Sequence, residues 1–407
     1  MKVCVICTGN ELLKGAVVNT NLAYIGERLT AIGLPPEECV VVPDQPEKMA
    51  EVFRSALDKF DLILTSGGLG PTRDDLTRDV ICAALGLTLQ SDPDLEIRLR
   101  ERWRQYRGDD VPPPDEIFSQ PLKPVDSLVL NNAVGTASGL WIEHDCKFVA
   151  MLPGPPVELE PMVDNELIPL LKSLPDAPLH TAGIMLSGIP ELMAQRKFEL
   201  LLQDTVDIAY CATPAGVKIY VSADDRQAVA GAEAIIRQEC PAQALPPGCF
   251  SVSADVFRLL REKGCKFVTA ESCTGGMLAA DMTAYPGSSE VFLGSAVAYA
   301  NEVKRDLLKV SAQILDTYGA VSSECVEQMV RNVANLFGAE AAVAVSGIAG
   351  PGGGTPEKPV GLVYIGAVFK DKMKVQEFKF RGGRDMIRMR TVAQAYLLLR
   401  DLLMAEN

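Results

Sequence analysis

The sequence predicts an α/β chain in three parts: a doubly wound parallel sheet in residues 1–172, a small α+β unit in 173–248 and a second α/β domain in 249–407. Three observations carry this. Short apolar, β-branched runs alternate with stretches of helical period, the pattern of parallel strands joined by helices. Proline-rich punctuation at Pro175-Asp176-Ala177-Pro178 and Pro246-Pro247-Gly248 marks two boundaries. A length of 407 residues exceeds what one ordinary core serves.

Composition narrows the class. Hydrophobic residues at 48% with 23% charged residues describe a soluble globular protein rather than a disordered one. A net charge of −14 argues against general binding to nucleic acid or anionic membrane, which needs a basic patch. No stretch approaches a membrane span, and Lys2 to Cys7 reads as a strand rather than a signal peptide, so a cytoplasmic location is expected. The eleven cysteines show no metal-ligand spacing. Cys4 and Cys7 lie in one strand-like run and are expected as buried thiols facing opposite sides. With only His144 and His180 present, neither in a polar glycine-rich context, a general base is expected to be a lysine or a carboxylate.

In residues 1–172 the first strand, Lys2 to Thr8, leads to Gly9-Asn10-Glu11 and to a helix with Leu22, Ile25, Leu29 and Ile32 on one face. Strands follow at Cys39 to Val42 and Asp61 to Thr65, separated by a helix over Glu47 to Lys59. The third strand ends in Ser66-Gly67-Gly68-Leu69-Gly70-Pro71-Thr72, and a helix is predicted from Arg73 to Asp75 onward to Ala84. Ligands of such sheets bind beyond the strand carboxyl ends. There Gly67, Gly68, Gly70 and Thr72 allow close approach of a phosphate, and Glu11, Asp44, Asp74 and Asp75 are the oxygen donors a hard divalent cation prefers. The same glycines could simply make a turn and the same acids cap helices. The prolines of 107–126 predict a long loop or lid, followed by a turn at Asn131 to Gly139, a strand at Lys147 to Leu152, and Pro153-Gly154-Pro155-Pro156 before Glu158.

Gly9-Asn10-Glu11-Leu12-Leu13, Asn19-Thr20-Asn21, Thr65 through Asp75 with Thr77, Gly135-Thr136-Ala137, and Leu152 through Pro156 with Glu158 resemble the CinA family. The first half of that family is similar to molybdopterin-binding proteins. The resemblance implies a metal-dependent pyrophosphatase acting on ADP-ribose, with Mg, Mn or Co, and substrate contacts at Gly67, Gly68, Gly70, Thr72, Gly135, Thr136 and Gly154. Asn10 and Ser138 depart mildly from the family pattern.

Residues 173–248 read as β-α-β-β-α and resemble the family's small connector, which is similar to KH domains. No basic glycine loop is present to clamp a nucleic-acid backbone, so packing or dimerisation is the expected role.

In residues 249–407 the run Lys266 to Ala270 is a buried strand turning sharply at Glu271-Ser272-Cys273-Thr274-Gly275-Gly276 into a helix. This places Ser272 at a helix N-terminus, as a candidate nucleophile beside free amides or as a simple cap. A strand from Val291 to Ala298 ends at Tyr299-Ala300-Asn301-Glu302-Val303-Lys304. Lys304 falls in a first helical turn, where the dipole disfavours a cation, and burial there would lower its pKa toward that of a base. Further signals are Gly319-Ala320-Val321-Ser322 before a helix, a strand ending in Ser346-Gly347 and a glycine-dense run to Gly354, and Arg384 with Arg388 at the start of the last helix.

These motifs, with Ala270 to Gly276, are similar to the nicotinamide mononucleotide deamidase domain that ends CinA proteins. The resemblance implies that Ser272, Lys304 and Tyr299 are catalytic. It implies substrate contacts at Glu271, Cys273, Thr274, Gly275, Asn301, Val321, Ser322, Ser346, Gly347, Arg384 and Arg388, with no cofactor in this half. Gly383 replaces the usual Asp before Arg384. A two-activity enzyme of pyridine nucleotide recycling, forming a homodimer, is therefore expected. The alternatives are a nucleotide-binding or regulatory role for the first half, or a competence-related DNA-associated factor.

Overall fold

The computed structural model describes residues 1–108, 110–174, 180–202 and 204–405; the proline-marked linker at 175–178 lies outside them. The chain divides into two compact units, Met1–Thr181 with Ser222–Arg226, and Ala182–Val221 with Gln227–Asn407. No helix of the described residues is long and apolar enough to cross a membrane.

The strands of the first unit are β1 (Val3–Thr8), β2 (Glu38–Val42), β3 (Leu62–Ser66), β4 (Leu89–Ser91), β5 (Leu122–Pro124), β6 (Leu128–Leu130), β7 (Gly139–His144) and β8 (Lys147–Leu152). The main sheet has the order β2-β1-β3-β8-β7-β6. Its first four members are parallel, as expected. The antiparallel β7 and β6 extend it into a mixed sheet. The β7–β8 hairpin turns on Asp145 and Cys146, both at positive φ, the conformation of a two-residue turn but without the usual glycine.

Alternate residues of β1 serve two cores. Val3, Val5 and Cys7 pack with Ile25, Leu29 and Leu159, while Cys4 and Ile6 pack with Met49, Phe53 and Ile81. Cys4 and Cys7 thus face opposite sides as free thiols, and burial pushes the Cys4 thiol up to about 12. Two expectations are refined here. The stretch 107–126, expected as a long loop or lid, carries among its described residues a short 3₁₀ turn at Asp115–Ser119 and the strand β5, which pairs with β4. The helix expected near residue 73 starts at Thr77, so Asp74 and Asp75 lie in the preceding turn.

The second unit opens with β9 (His180–Ser187), β10 (Asp207–Thr213) and β11 (Gly216–Ala223), in the order β10-β11-β9, with helices Glu191–Leu202 and Arg226–Glu239. Met185 and Leu245 join the large core of the residues that follow, and Arg400 bonds both Asp255 and the carbonyl of Ala242. The remaining strands are β12 (Phe267–Glu271), β13 (Phe292–Val297), β14 (Ala341–Gly347), β15 (Leu362–Phe369) and β16 (Lys372–Lys379), ordered β13-β12-β14-β15-β16. β12 lies between β13 and β14, parallel to both neighbours and fully buried. Helices Val252–Lys263 and Arg384–Met404 cover one face; Ser323–Phe337 covers the other.

Candidate active sites

The turn after β12 is built by Glu271. This fully buried carboxylate accepts the Thr274 hydroxyl at 2.8 Å and the amides of Gly276, Leu278 and Ala279 at 2.9, 3.0 and 2.9 Å. Gly275 and Gly276, at φ 63° and 100°, turn the chain before the helix Met277–Thr283. The expectation that Ser272 sits at that helix N-terminus is corrected. The helix begins five residues later, and Glu271 takes the amides of Leu278 and Ala279 in its first turn and of Gly276 just before it, a negative charge at the dipole end. Two amides of the turn are also committed, Ser272 to the carbonyl of Val345 and Gly275 to that of Ser272. The Cys273 amide faces its own thiol, and the Thr274 amide has no main-chain partner among the described residues; these two point to where an oxyanion would be received.

Lys304 Nζ stands 3.1 Å from Ser272 Oγ, and also donates to the carbonyls of Ala298 at 2.8 Å and Tyr299 at 3.0 Å. Lys304 is 1% exposed, and burial holds its pKa below the ordinary lysine value. The thiols of Cys325 and Cys273 lie close enough to act on it electrostatically, but burial outweighs them. The two carbonyls can only accept. A neutral amine would give its two N–H groups to them and turn its lone pair toward the serine hydroxyl. That is the arrangement of a nucleophile and its general base.

The other expected residues divide. Tyr299 presents its carbonyl to Lys304, while its exposed phenol accepts from Arg384 at 3.3 Å, so no contact of the phenol with Ser272 is made. Arg384, despite Gly383, is held by the carbonyl of Gly350 at 2.7 Å. Arg388 donates to the carbonyl of Thr274 at 2.9 Å and so braces the turn that carries Ser272. Ser322 caps the helix Ser323–Phe337, and Ser346 donates to Ala320, so both hydroxyls serve the backbone. The carbonyl of Val321 holds Lys358, Gly347 packs too tightly on Val363 for any Cβ, and Asn301 is exposed at the start of its helix. The cavities of about 500, 150 and 430 Å³ are not lined by Ser272 or Lys304; exposed Gly275 and Tyr299 mark the open edge of this site.

In the first unit a cavity of about 500 Å³ opens beyond the ends of β1 and β3. Gly67, Gly68, Gly70, Thr72, Thr136, Gly154 and all four of Glu11, Asp44, Asp74 and Asp75 line it. Gly135 instead lines a neighbouring cavity of about 150 Å³ and packs on Glu158. Gly68 is indispensable: its φ is 68°, and a Cβ there would lie 2.2 Å from Thr77 Oγ1. The Thr77 amide bonds the Gly68 carbonyl, so the first amide of this helix is committed rather than open to phosphate.

The four acids line this cavity without gathering into one cluster. Among the described residues no three His, Cys, Asp or Glu side chains converge on one point. The reason is local bonding. Asp75 accepts the Thr72 amide, the single Thr72 hydroxyl proton lies within reach of both Asp75 and Asp74 and lowers the Asp74 pKa, Asp44 accepts the Asn10 amide, and Glu11 folds back on Gly9. An ion held by protein ligands alone does not fit. An ion of the Mg²⁺ type, which takes one or two carboxylates and completes its shell with substrate phosphates, does fit. Residues outside the expected set also shape this cavity: Asn21 donates to Ser66 and Gly154, and Gln120 lies on its wall. A polar residue buried inside a proline-rich stretch gives no pattern by which to single out Gln120.

A two-unit α/β protein with a glycine-lined, carboxylate-bearing cavity in one unit and a buried Ser–Lys pair in the other is the class these features define. The "Probable molybdopterin binding domain" family matches residues 4–173 and the "CinA C-terminal domain" family matches 250–403. A competence-damage inducible relative of Moorella thermoacetica is 38% identical over 98% of both chains, and a CinA-like protein of Pseudothermotoga lettingae is 36% identical over 98% of both. This chain belongs to the CinA family. Among solved structures, the Thermoplasma acidophilum CinA protein is 35% identical, covering 40% of this chain and 95% of its own, with a TM-score of 0.37. The Agrobacterium tumefaciens competence/damage inducible protein is 39% identical, covering 38% and 92%, with a TM-score of 0.36.

Proposed function

We propose that the second unit hydrolyses the carboxamide of nicotinamide mononucleotide. One observation carries the reading: a serine hydroxyl 3.1 Å from a buried lysine whose remaining donors rest on two carbonyls. In the reaction Lys304 Nζ takes the Ser272 proton as Oγ bonds the carboxamide carbon. The oxyanion is held by the amides of Cys273 and Thr274. The C–N bond then breaks, the proton passes from Lys304 to the leaving nitrogen, and ammonia departs. Water, deprotonated by the same amine, cleaves the ester to give nicotinate mononucleotide and free Ser272. Arg384, at the exposed edge beside Tyr299, is suited to the substrate phosphate.

The glycine-lined cavity supports ADP-ribose hydrolysis to AMP and ribose 5-phosphate. One or two of Glu11, Asp44, Asp74 and Asp75 would hold a divalent ion, which supplies Lewis-acid polarisation of the pyrophosphate when bound. The chain's own part is to admit the pyrophosphate against Gly67, Gly68 and Gly154. A homodimer belongs to the same reading, and sedimentation of the intact chain tests it. The activities are tested by incubating the intact chain with each substrate and resolving products. Ammonia with nicotinate mononucleotide, and AMP with ribose 5-phosphate, are expected; absence of either pair removes that activity.

A further inference from the structure

Three side-chain amides on the wall of the glycine-lined cavity each leave one buried atom without a partner among the described residues: Asn19 its Nδ2, a donor, and Asn21 and Gln120 their oxygens, which are acceptors. Buried polar atoms nearly always have a partner, so each orphan calls for a reason. Asn21 Nδ2 donates to Ser66 Oγ at 2.9 Å and to the carbonyl of Gly154 at 2.6 Å. This fixes its Oδ1 as an acceptor, and that oxygen is buried with no partner among the described residues. Gln120 is 6% exposed, and its main chain is held on both sides, the amide by Ile117 at 3.1 Å and the carbonyl by Arg78 at 3.3 Å. Its Oε1 is likewise buried without a partner. Both residues line the cavity.

Phosphate oxygens carry no protons to give, so these acceptors do not serve the anionic end of a nucleotide. A carboxamide sets a C=O beside an NH₂, an edge that matches an amino group beside a ring nitrogen, as glutamine does with adenine. A ribose hydroxyl would meet Oε1 alone, whereas an adenine edge engages Nε2 as well. Val17 and Val18, 54% and 80% exposed, line the same cavity and offer apolar contact to a ring.

We propose that Gln120 determines the specificity of this cavity, its carboxamide pairing with the amino-bearing edge of an adenine nucleotide, an inference that rests on the ADP-ribose reading of the site. The Arg78 hydrogen bond and the Ile117 turn hold Gln120 in place for this.

Calorimetric titration of the intact chain with AMP, IMP and ribose 5-phosphate tests it, using the wild type and Gln120→Met, a substitution of similar volume. The wild type is expected to bind AMP about tenfold more tightly than IMP. Gln120→Met should weaken AMP about tenfold, erase the preference over IMP and leave ribose 5-phosphate unchanged. Unaltered AMP affinity in the variant, or an equal loss for ribose 5-phosphate, overturns the proposal. If the variant misfolds, equal affinities of the unaltered protein for AMP and IMP overturn it just as well. ADP-ribose turnover followed in parallel separates the two readings. Turnover without AMP preference defeats the role of Gln120 and leaves the hydrolase. AMP preference without turnover upholds Gln120 and defeats the hydrolase.

Discussion

Glu271 accepts the hydroxyl of Thr274 at 2.8 Å while its two oxygens also collect three main-chain amides at the start of the following helix. A fully buried carboxylate that is held by hydroxyls and amides rather than by a cation is normally costly. Here the hydrogen bonds to its charged form compensate, and the same bonds fix the loop that carries Ser272.

Glu271→Gln would put an NH₂ where only acceptors fit, leaving at least one buried amide without its partner. A loss of about 2 to 3 kcal/mol is expected, read as a lower denaturant midpoint for the second unit. An unchanged midpoint would mean the carboxylate is not what holds this turn.

Lys304 must be neutral to accept a proton. Because burial lowers its pKa, kcat/KM for ammonia release should rise with pH and level off at a midpoint below the ordinary lysine value of about 10.4. Lys304→Arg, which stays charged, should be inactive at every pH. The sign for stability is fixed by the same shift. Between the depressed folded pKa and the unfolded one, the unfolded chain holds the extra proton, so stability rises with pH across that window. Lys304→Met should abolish that slope; a slope that persists would locate the titration elsewhere.

Much of the fold was legible because strand burial writes itself into composition. The fully buried β1 and β12 are legible as near-continuous runs of apolar residues, and the opposed Cys4 and Cys7 follow from the two-residue period of a strand. The hairpin partners were harder. β7 turns on Asp145-Cys146 rather than on a glycine pair, and β16 is an edge strand rich in lysine. Its alternation of Lys372, Met373, Lys374 and Val375 is a period-two signal that could have marked it. The site was legible as residue types but not as commitments. No local pattern reveals that Glu271 takes the helix amides, or that Thr72 ties down Asp74 and Asp75, because those depend on where hydrogen bonds close in three dimensions.

Arg384→Ala should raise KM for nicotinamide mononucleotide about tenfold with a smaller effect on kcat, since a phosphate contact is shared by ground and transition states. Steady-state kinetics at saturating and limiting substrate decide this. A fall in kcat alone would place Arg384 in the chemistry instead.

The two reactions should separate by metal dependence. Exhaustive chelation is expected to stop AMP formation from ADP-ribose and leave ammonia release intact. Gly68→Ala should stop AMP formation too, because a Cβ there meets Thr77 and the backbone is left-handed. Loss of both activities on chelation would tie the amidase to an ion that the Ser–Lys chemistry does not require.

The proposed amidase stands or falls with the oxygen of Ser272. Ammonia release from nicotinamide mononucleotide by Ser272→Ala, measured beside the unaltered chain at equal folded concentration, is the decisive comparison. A fall of at least about a thousandfold is expected for loss of a nucleophile. Turnover within a fewfold of the unaltered protein would contradict it.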